Sequence, residues 1–281
     1  MTTVSAGTKP ASQPVAPASK RPVGERSRNV PTVRLGLLWT LVRTDFKSRY
    51  HGTLGGFVWA LLKPLSMFVV LMSVFSLLFA STPTYKLDLV VGLFLWDFFA
   101  EGTKSGLTSL HARGYLLTKA RIPSWILVVT SISNALITLA VFAVIIVIFL
   151  AAAGRPPGLR ELAAFGLYCG ASTAIVVGFS LASSVLFLRY RDLNQVWEVA
   201  LQAGFFLAPV MYPLAVLPES VRHYLFLWPP TTIIELSRAV LVAGTSPATM
   251  DHAALAAAVA VCLAGGIAVY RWLAPRSAEL L

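Results

Sequence analysis

Six long apolar segments constrain the fold of this chain more than any other feature. Each reaches the roughly 20 residues that a helix needs to cross about 30 Å of hydrocarbon. They cover residues 57–80, 89–110, 124–152, 161–188, 194–215 and 250–273. Of the 281 residues, 57% are hydrophobic and only 12% are charged, against about 25% in an average soluble domain. The sequence therefore predicts an all-α, polytopic membrane protein with six transmembrane helices, and it excludes a soluble enzyme.

The basic residues predict how the spans are oriented. The chain holds 23 Lys and Arg against 12 Asp and Glu, and most of the basic residues fall on one side of the six spans. Because cytoplasmic loops carry the excess of Lys and Arg, we expect both termini in the cytoplasm and a multi-pass protein of the cytoplasmic (inner) membrane. The positive charge then reports topology and contact with membrane lipids, and we expect no nucleic-acid partner.

The composition divides the chain into three regions. Residues 1–31 are rich in Pro, Ala, Ser and basic residues and lack the apolar core of a signal peptide, which predicts a disordered basic cytoplasmic tail. Residues 32–52 carry apolar residues at helical spacing, among them Leu38 and Phe46, with basic residues beside them. This pattern is typical of an amphipathic helix at a membrane interface. Residues 53–281 form the predicted transmembrane domain.

The segment between the fifth and sixth spans is apolar but broken by prolines. It contains Pro218, Pro229, Pro230 and several charged residues, so a continuous spanning helix is excluded. We predict two short re-entrant helices on the outer side of the membrane. Such backbone is tolerated at membrane depth only where protein or water covers it.

Polar side chains inside two spans point to a functional surface, since charges at membrane depth are costly. Asp97, Glu101 and Lys104 share one helical face of the second span, and Glu198 and Gln202 form a stripe in the fifth. Two interpretations stay open for these residues. They form ion pairs between helices, or they line a hydrated conduit.

Aromatic residues follow the polar stripe of the fifth span. Phe205, Phe206 and Tyr212 come directly after Gln202. Amides beside aromatic rings suit a path for sugars, because hydroxyl groups bond to amides and C–H faces stack on rings. The same rings are also ordinary packing residues, so the pattern alone does not decide.

Motifs for catalysis or metal binding are absent from the sequence. The string from Gly102 to Ser105 lacks the order of a phosphate-binding loop. The two cysteines, Cys169 and Cys262, and the four dispersed histidines form no metal-ligand spacing. We therefore expect no catalytic residue, no metal site and no cofactor in this chain.

Four motifs, in order, resemble those of ABC-2 type permeases that export polysaccharides such as O-antigen, teichoic acid or cell-wall galactan. They are R-Y-x(3)-L-G-x(3)-W-x(4)-P at 49–64, L-x-x-K-x-x-x-P at 116–123, R-Y-R-D-L at 189–193 and P-V-x-Y-P at 209–213. Two positions depart from the family pattern: Ala208 replaces the usual Ser, and Trp228 stands where an Asn is common.

The resemblance implies a homodimeric permease that exports a lipid-linked glycan. Two copies of a separate ABC ATPase would bind ATP and Mg²⁺ and drive transport. It also implies an interface helix, a coupling helix after the second span and gate helices after the fifth.

The resemblance and the residue patterns together assign four groups of site residues. The predicted ATPase-docking surface comprises Arg43, Lys47, Arg113, Tyr115, Lys119 and Arg121. The predicted conduit comprises Asp97, Glu101, Glu198, Gln202, Phe205, Phe206 and Tyr212. The predicted outer gate comprises Pro218, Tyr224, Trp228 and Pro229, and a cytoplasmic corner comprises Arg189, Arg191 and Asp192.

Two other functions remain open from the sequence. One is an ABC-2 exporter of a drug or small lipid, although such relatives commonly carry a larger outer domain or a fused ATPase. The other is a membrane-embedded glycosyl- or prenyl-transferase, which would need acidic metal-binding motifs at the loop edges.

Overall fold

The computed structural model describes residues 31–50, 55–79, 83–115 and 123–277, and in these ranges it is helical without a strand. The predicted tail lies, apart from Pro31, outside the described residues. The helices are α1 (Pro31–Tyr50), α2 (Phe57–Leu78), α3 (Tyr85–Ala112), α4 (Ser124–Ala152), α5 (Leu159–Arg189), α6 (Leu193–Leu207), α7 (Glu219–Leu225), α8 (Pro229–Leu241) and α9 (Thr249–Ser277). The all-α prediction is confirmed for this part of the chain.

Four of the described helices are long and apolar enough to cross a membrane. They are Phe57–Leu78, Ser124–Ala152, Leu159–Arg189 and Thr249–Ala274. The chain is thus a multi-pass membrane protein. Two predicted spans differ from these four: α3 has 28 residues but carries several charges, and α6 has only 15 residues. At 1.5 Å per residue, α6 covers roughly 22 Å, which is less than the hydrocarbon thickness.

The amphipathic helix predicted at 32–52 corresponds to α1, which divides into a packed and an exposed face. Leu38, Val42 and Phe46 are partly buried, whereas Arg43 and Lys47 are exposed. Trp39 lies on the outer face, with 69% of its surface exposed. One side of α1 therefore packs on the protein, and the other stays available.

Helix α3 is the centre of the structure, since α2, α4, α5, α6 and α8 all pack against it. Its buried face includes Leu89 and Phe94, which are fully inaccessible. Phe94 stacks on Phe142 of α4 with ring centroids 4.2 Å apart. Within a bilayer such packing replaces the hydrophobic effect as the main force between helices.

Glycines allow α5 and α9 to approach closely. A Cβ atom at Gly178 would lie 2.5 Å from the Cys262 carbonyl oxygen, and one at Gly266 would overlap the backbone of Gly178. A Cβ atom at the neighbouring Gly265 would have no other atom within 4 Å. Small residues at helix crossings are the usual means of close packing in membranes.

We expect Gly266→Ala to destabilise the protein by about 1–3 kcal/mol, because the new methyl group must push α9 away from rigid backbone. The measurement is thermal unfolding of the purified protein in detergent, followed by loss of the monodisperse chromatographic peak. Gly265→Ala is the matched control and should keep the wild-type midpoint or raise it. Equal midpoints for the two variants would contradict the contact.

Candidate functional site

A groove runs along α3 between α2 and α6, and we call it the α3 groove. Its charged half has a volume of about 270 Å³ and is lined by Lys63, Asp97, Ala100, Glu101, Lys104, Glu198, Leu201 and Gln202. Its apolar half measures about 460 Å³ and includes Met67, Val70, Leu93, Trp96 and Phe205. Both halves share Lys63, Asp97 and Ala100. The groove is therefore continuous, and from Leu93 to Lys104 it follows α3 for roughly 16 Å.

Three helices contribute charged side chains to the charged half, since Lys63 lies on α2 and Glu198 on α6. Lys104 of α3 forms an ion pair with Glu198 of α6. This pair crosses between two helices, as one of the two interpretations of the sequence expected. The Ser105 hydroxyl donates to the Glu101 carboxylate at 3.2 Å. Four of the predicted conduit residues, Asp97, Glu101, Glu198 and Gln202, therefore lie around one groove.

The side of α3 that faces α4 holds a smaller cavity of about 150 Å³. Asp97 and Glu101 line it together with Lys63, Asn134 and Thr138. Asn134 is buried, and its Oδ1 atom has no hydrogen-bond partner among the described residues. Both carboxylates thus border polar space on two sides, which is the arrangement that hydrated charges in a membrane need.

Aromatic rings line the apolar half of the α3 groove. Phe205 packs edge-on against Trp96 at 5.9 Å and against Phe206 at 5.6 Å. Phe206 is 63% exposed, and its carbonyl accepts a 2.8 Å hydrogen bond from the Tyr212 hydroxyl. The last three predicted conduit residues therefore lie at the C-terminal end of α6 or, for Tyr212, in the turn that follows it.

A second group of rings fastens α6 and α8 to the middle of α3. Trp228 contacts Phe99 at 5.8 Å and Trp197 at 6.3 Å. The Trp197 ring nitrogen donates to the Thr103 hydroxyl at 3.1 Å. A Cβ atom at Gly204 would lie 2.8 Å from Trp228, so only glycine leaves room for this indole. Trp228, predicted as a gate residue, thus packs inside the protein.

The direction of α8 follows from the contacts at its two ends. Trp228, just before its first residue, touches Phe99 in the middle of α3. Arg238, near its last residue, donates to the carbonyl of Asp88 near the start of α3. These two levels of α3 are roughly 16 Å apart. Helix α8 is therefore antiparallel to α3 and spans only one half of it.

Arg238 is 7% exposed and holds the turn that follows α6. Its guanidinium donates to the carbonyl oxygens of Asp88 at 2.9 Å, Pro209 at 2.6 Å and Val210 at 3.0 Å. The carboxylate of Glu235 balances its charge at 2.9 Å. The Cβ atom of any other residue at Gly92 would lie 2.5 Å from this guanidinium, so glycine keeps the space open.

Side chains from two helices, α3 and α8, bind backbone carbonyls of the turn at 208–213. Besides the two carbonyls bound by Arg238, the Met211 carbonyl accepts a 2.9 Å hydrogen bond from the Tyr85 hydroxyl. Buried backbone that is neither helix nor strand needs such partners. The turn can therefore stay non-helical while Ala208, Pro209 and Val210 are buried.

At the C-terminal end of α3, Asp45 links α1 to two other helices. Its carboxylate forms an ion pair with Arg113, directly after α3, and accepts a 2.6 Å hydrogen bond from the Asn134 amide of α4. Both charged side chains are more than four-fifths buried. The interface helix is thus fixed to the helix that forms the α3 groove.

The predicted docking residues occupy different environments. Arg43 and Lys47 are exposed on α1, and Tyr115 is 61% exposed, whereas Arg113 is engaged by Asp45. Lys119 and Arg121 lie outside the described residues.

The predicted gate and corner residues are exposed, apart from Trp228 and the partly buried Pro229. Pro218 precedes α7, Tyr224 is 73% exposed, and Pro229 is the first residue of α8. Arg189, Arg191 and Asp192 are exposed at the turn between α5 and α6. The Arg189 guanidinium lies 5.6 Å from the centroid of the Tyr190 ring.

Three residues that the sequence analysis did not assign to a site prove central. Lys63 lines every part of the groove region, Arg238 supports the turn, and Asp45 joins three helices. The sequence did contain a signal for Lys63, because a charged residue inside a predicted span often belongs to a functional site. The partners of the other two residues depend on tertiary structure. No group of three metal-ligating side chains occurs among the described residues.

We expect Arg238→Lys to destabilise the protein by at least about 3 kcal/mol, because an ammonium group cannot reach three separate carbonyls and would leave buried acceptors unpaired. Thermal unfolding in detergent gives the loss of stability. Labelling of Met211→Cys, at a position only 9% exposed, reports opening of the turn.

Arg222→Lys is the control for this prediction. Arg222 of α7 also donates to two backbone carbonyls, those of Leu217 and Ala215, but these lie in the segment directly before its own helix. It should cost less than about 1 kcal/mol and leave Met211→Cys protected. Unchanged stability and labelling in Arg238→Lys would contradict the role of the guanidinium.

Comparisons with known proteins agree with this architecture. The model of a family described as ABC-2 type transporter matches residues 36–242. An O-antigen export system permease protein, RfbA, of Klebsiella pneumoniae is 25% identical over 210 residues, which cover 74% of this chain and 81% of the relative. RfbA of Myxococcus xanthus is 27% identical, and the match covers 81% of this chain and 88% of the relative. The polysialic acid transport protein KpsM of Escherichia coli is 21% identical, and the match covers 81% of this chain and 89% of the relative.

Proposed function

We propose that this chain, which belongs to the ABC-2 type transporter family, is the permease subunit of an exporter that moves a lipid-linked polysaccharide across the cytoplasmic membrane. The observation that carries the proposal is the similarity to O-antigen and polysialic acid permeases across about four-fifths of the chain. The α3 groove supports it, because acidic, amide and aromatic side chains lie together along one path.

The groove supplies half of a conduit in this proposal, and a second copy supplies the other half. Helices α2 and α6 both pack against α3 and leave its charged face open. The two helices beside the groove also carry exposed apolar residues, among them Trp59 of α2 and Val199 and Phe206 of α6. Such surface is suited to a second copy of the chain. The homodimer would then enclose a glycan path between the two grooves.

The six-span topology completes the proposed architecture. Helices α2, α4, α5 and α9 provide four spans. Helix α3 and helix α6 with its turn provide the other two, and their charges face the conduit instead of lipid. Helices α7 and α8 form the re-entrant segment, supported by the position of Trp228 at the mid-level of α3. Both termini lie in the cytoplasm.

Energy for transport comes from two copies of a separate ATPase that bind ATP and Mg²⁺. The proposed docking surface combines the exposed Arg43 and Lys47 of α1 with the segment after Tyr115. The Asp45–Arg113 pair connects this surface to α3. A movement imposed by the ATPase on α1 would therefore reach α3 through this buried ion pair.

We expect the double variant Gln202→Ala, Phe205→Ala to lower polysaccharide export at least tenfold, because it removes an amide and a ring from the groove wall. The measurement is surface polysaccharide in cells that depend on the variant, with the lipid-linked precursor quantified in the membrane. Precursor should accumulate as surface polysaccharide falls.

Val261→Ala is the control variant, since Val261 of α9 is 72% exposed and lies away from the groove. It should export as the wild type does. Both proteins must reach the membrane at equal levels and co-purify with the ATPase. Wild-type export by the double variant would contradict the proposed path.

A further inference from the structure

We infer that a pocket at the N-terminal ends of α5 and α9 binds the headgroup of a zwitterionic phospholipid such as phosphatidylethanolamine. The pocket shares no lining residue with the α3 groove, so its ligand is a component of the membrane and not the transported glycan. Its level in the bilayer, the opposite charges in its wall and the polar pair at its floor all favour this ligand.

The pocket has a volume of about 420 Å³ and is formed by three parts of the chain. These are the first turns of α5, the end of α8 with the loop that follows it, and the first turn of α9. A water-sized group takes about 30 Å³ in a liquid, so the pocket has room for more than ten such groups. It can therefore hold a phosphoethanolamine group.

The lengths of α5 and α9 place the pocket in the headgroup layer of the bilayer. The two helices have 31 and 29 residues, which correspond to about 46 and 44 Å. A bilayer with its headgroups is about 40–45 Å thick, so the first turns of both helices lie among the headgroups. Two apolar side chains are exposed there, Leu159 at 85% and Met250 at 78%. They suit contact with the glycerol and acyl groups below the headgroup.

Two side chains of opposite charge line the pocket, Arg160 and Glu161. In the part of the chain that the structure describes, Arg160 forms no hydrogen bond or ion pair. Glu161 accepts a 2.8 Å hydrogen bond from the Gly158 amide through Oε2, which leaves Oε1 for another donor. A guanidinium binds phosphate well, and a carboxylate binds an ammonium group. One zwitterionic headgroup satisfies both, whereas a purely anionic headgroup leaves the carboxylate without a partner.

A polar pair between α5 and α9 forms the floor of the pocket. Tyr168 is fully buried, and its hydroxyl lies 2.9 Å from Nε2 of His252. Nδ1 of His252 donates to the Ala248 carbonyl at 3.0 Å, so in the neutral imidazole Nε2 accepts from the tyrosine. At the rim, the Ser246 hydroxyl has no hydrogen bond to any residue that the structure describes. This hydroxyl can donate to a phosphate oxygen.

A lipid bound in the pocket would also stabilise α8. Val240 of α8 lines the pocket, and Arg238, two residues earlier, holds the turn at 208–213. A headgroup in contact with α5, α8 and α9 therefore fixes the end of the helix that supports this turn. Binding should raise the thermal stability of the protein.

The test uses the full chain, purified in detergent without phospholipid. The probes are dihexanoyl phosphatidylethanolamine and dihexanoyl phosphatidylglycerol, which share the phosphate and differ in the amine. Native mass spectrometry counts bound lipid, and the thermal shift on titration gives the affinity. The wild type should bind phosphatidylethanolamine at least about fivefold more tightly than phosphatidylglycerol, because its amine gains a bond to a charged partner.

Two variants assign the charges, and a third is the control. Arg160→Gln should weaken both probes at least about tenfold, because both lose the partner of their phosphate. Glu161→Gln keeps an oxygen for the Gly158 amide but loses the charge, and should make the two affinities about equal. Lys86→Gln removes an exposed cation from the first turn of α3, outside the pocket, and should change neither affinity.

Several results would overturn the assignment. Wild-type affinity in a monodisperse Arg160→Gln protein would exclude this pocket. Equal or tighter binding of phosphatidylglycerol to the wild type would indicate an anion site, and displacement of the lipid by a neutral oligogalactan would indicate a glycan site. Failure of the wild type to bind either probe would also contradict it. The measurement needs no transport, so each of these results is independent of the proposed export function.

Discussion

The charged face of α3 is the constraint on which the rest of the structure depends. Asp97, Glu101 and Lys104 lie on a helix whose opposite face is packed into the apolar core. Such groups are stable at membrane depth only when they are paired or hydrated. In the structure α6 brings Glu198 to Lys104, and Asp97 and Glu101 line an open groove between α2 and α6. The same surface therefore holds an ion pair between helices and an open groove.

The same constraint accounts for the unusual chain path after α6. A longer α6 would continue beside α3, whereas the chain turns at Ala208 and returns to the middle of α3 before α8 begins. This path buries irregular backbone, and the guanidinium of Arg238 together with the hydroxyl of Tyr85 satisfies its carbonyls. One charged side chain, itself balanced by Glu235, thus makes a non-helical turn possible deep in the protein.

The long apolar runs of the sequence were sufficient to predict the helical class and the positions of α2, α4, α5 and α9. The break near Pro218 correctly indicated short helices after α6. The end of α6 at Leu207 was missed, because Ala208, Pro209 and Val210 are as apolar as a span and only tertiary hydrogen bonds show the turn. The sequence likewise assigned Asp97, Glu101 and Glu198 to one predicted conduit, but it could not identify the residues that contact them. Helical spacing gives the face of a side chain, whereas Lys104–Glu198 and Asp45–Arg113 join residues far apart in the chain.

The central claim is that the chain carries a lipid-linked polysaccharide across the membrane at the expense of ATP hydrolysed by a partner. The most direct measurement uses inside-out membrane vesicles loaded on their outer, cytoplasmic face with radiolabelled lipid-linked glycan. The account predicts that ATP moves the label into the lumen, beyond the reach of an added glycosidase, and that vesicles lacking the chain do not do so. Movement that is equal with and without the chain, or that needs no ATP, would contradict it.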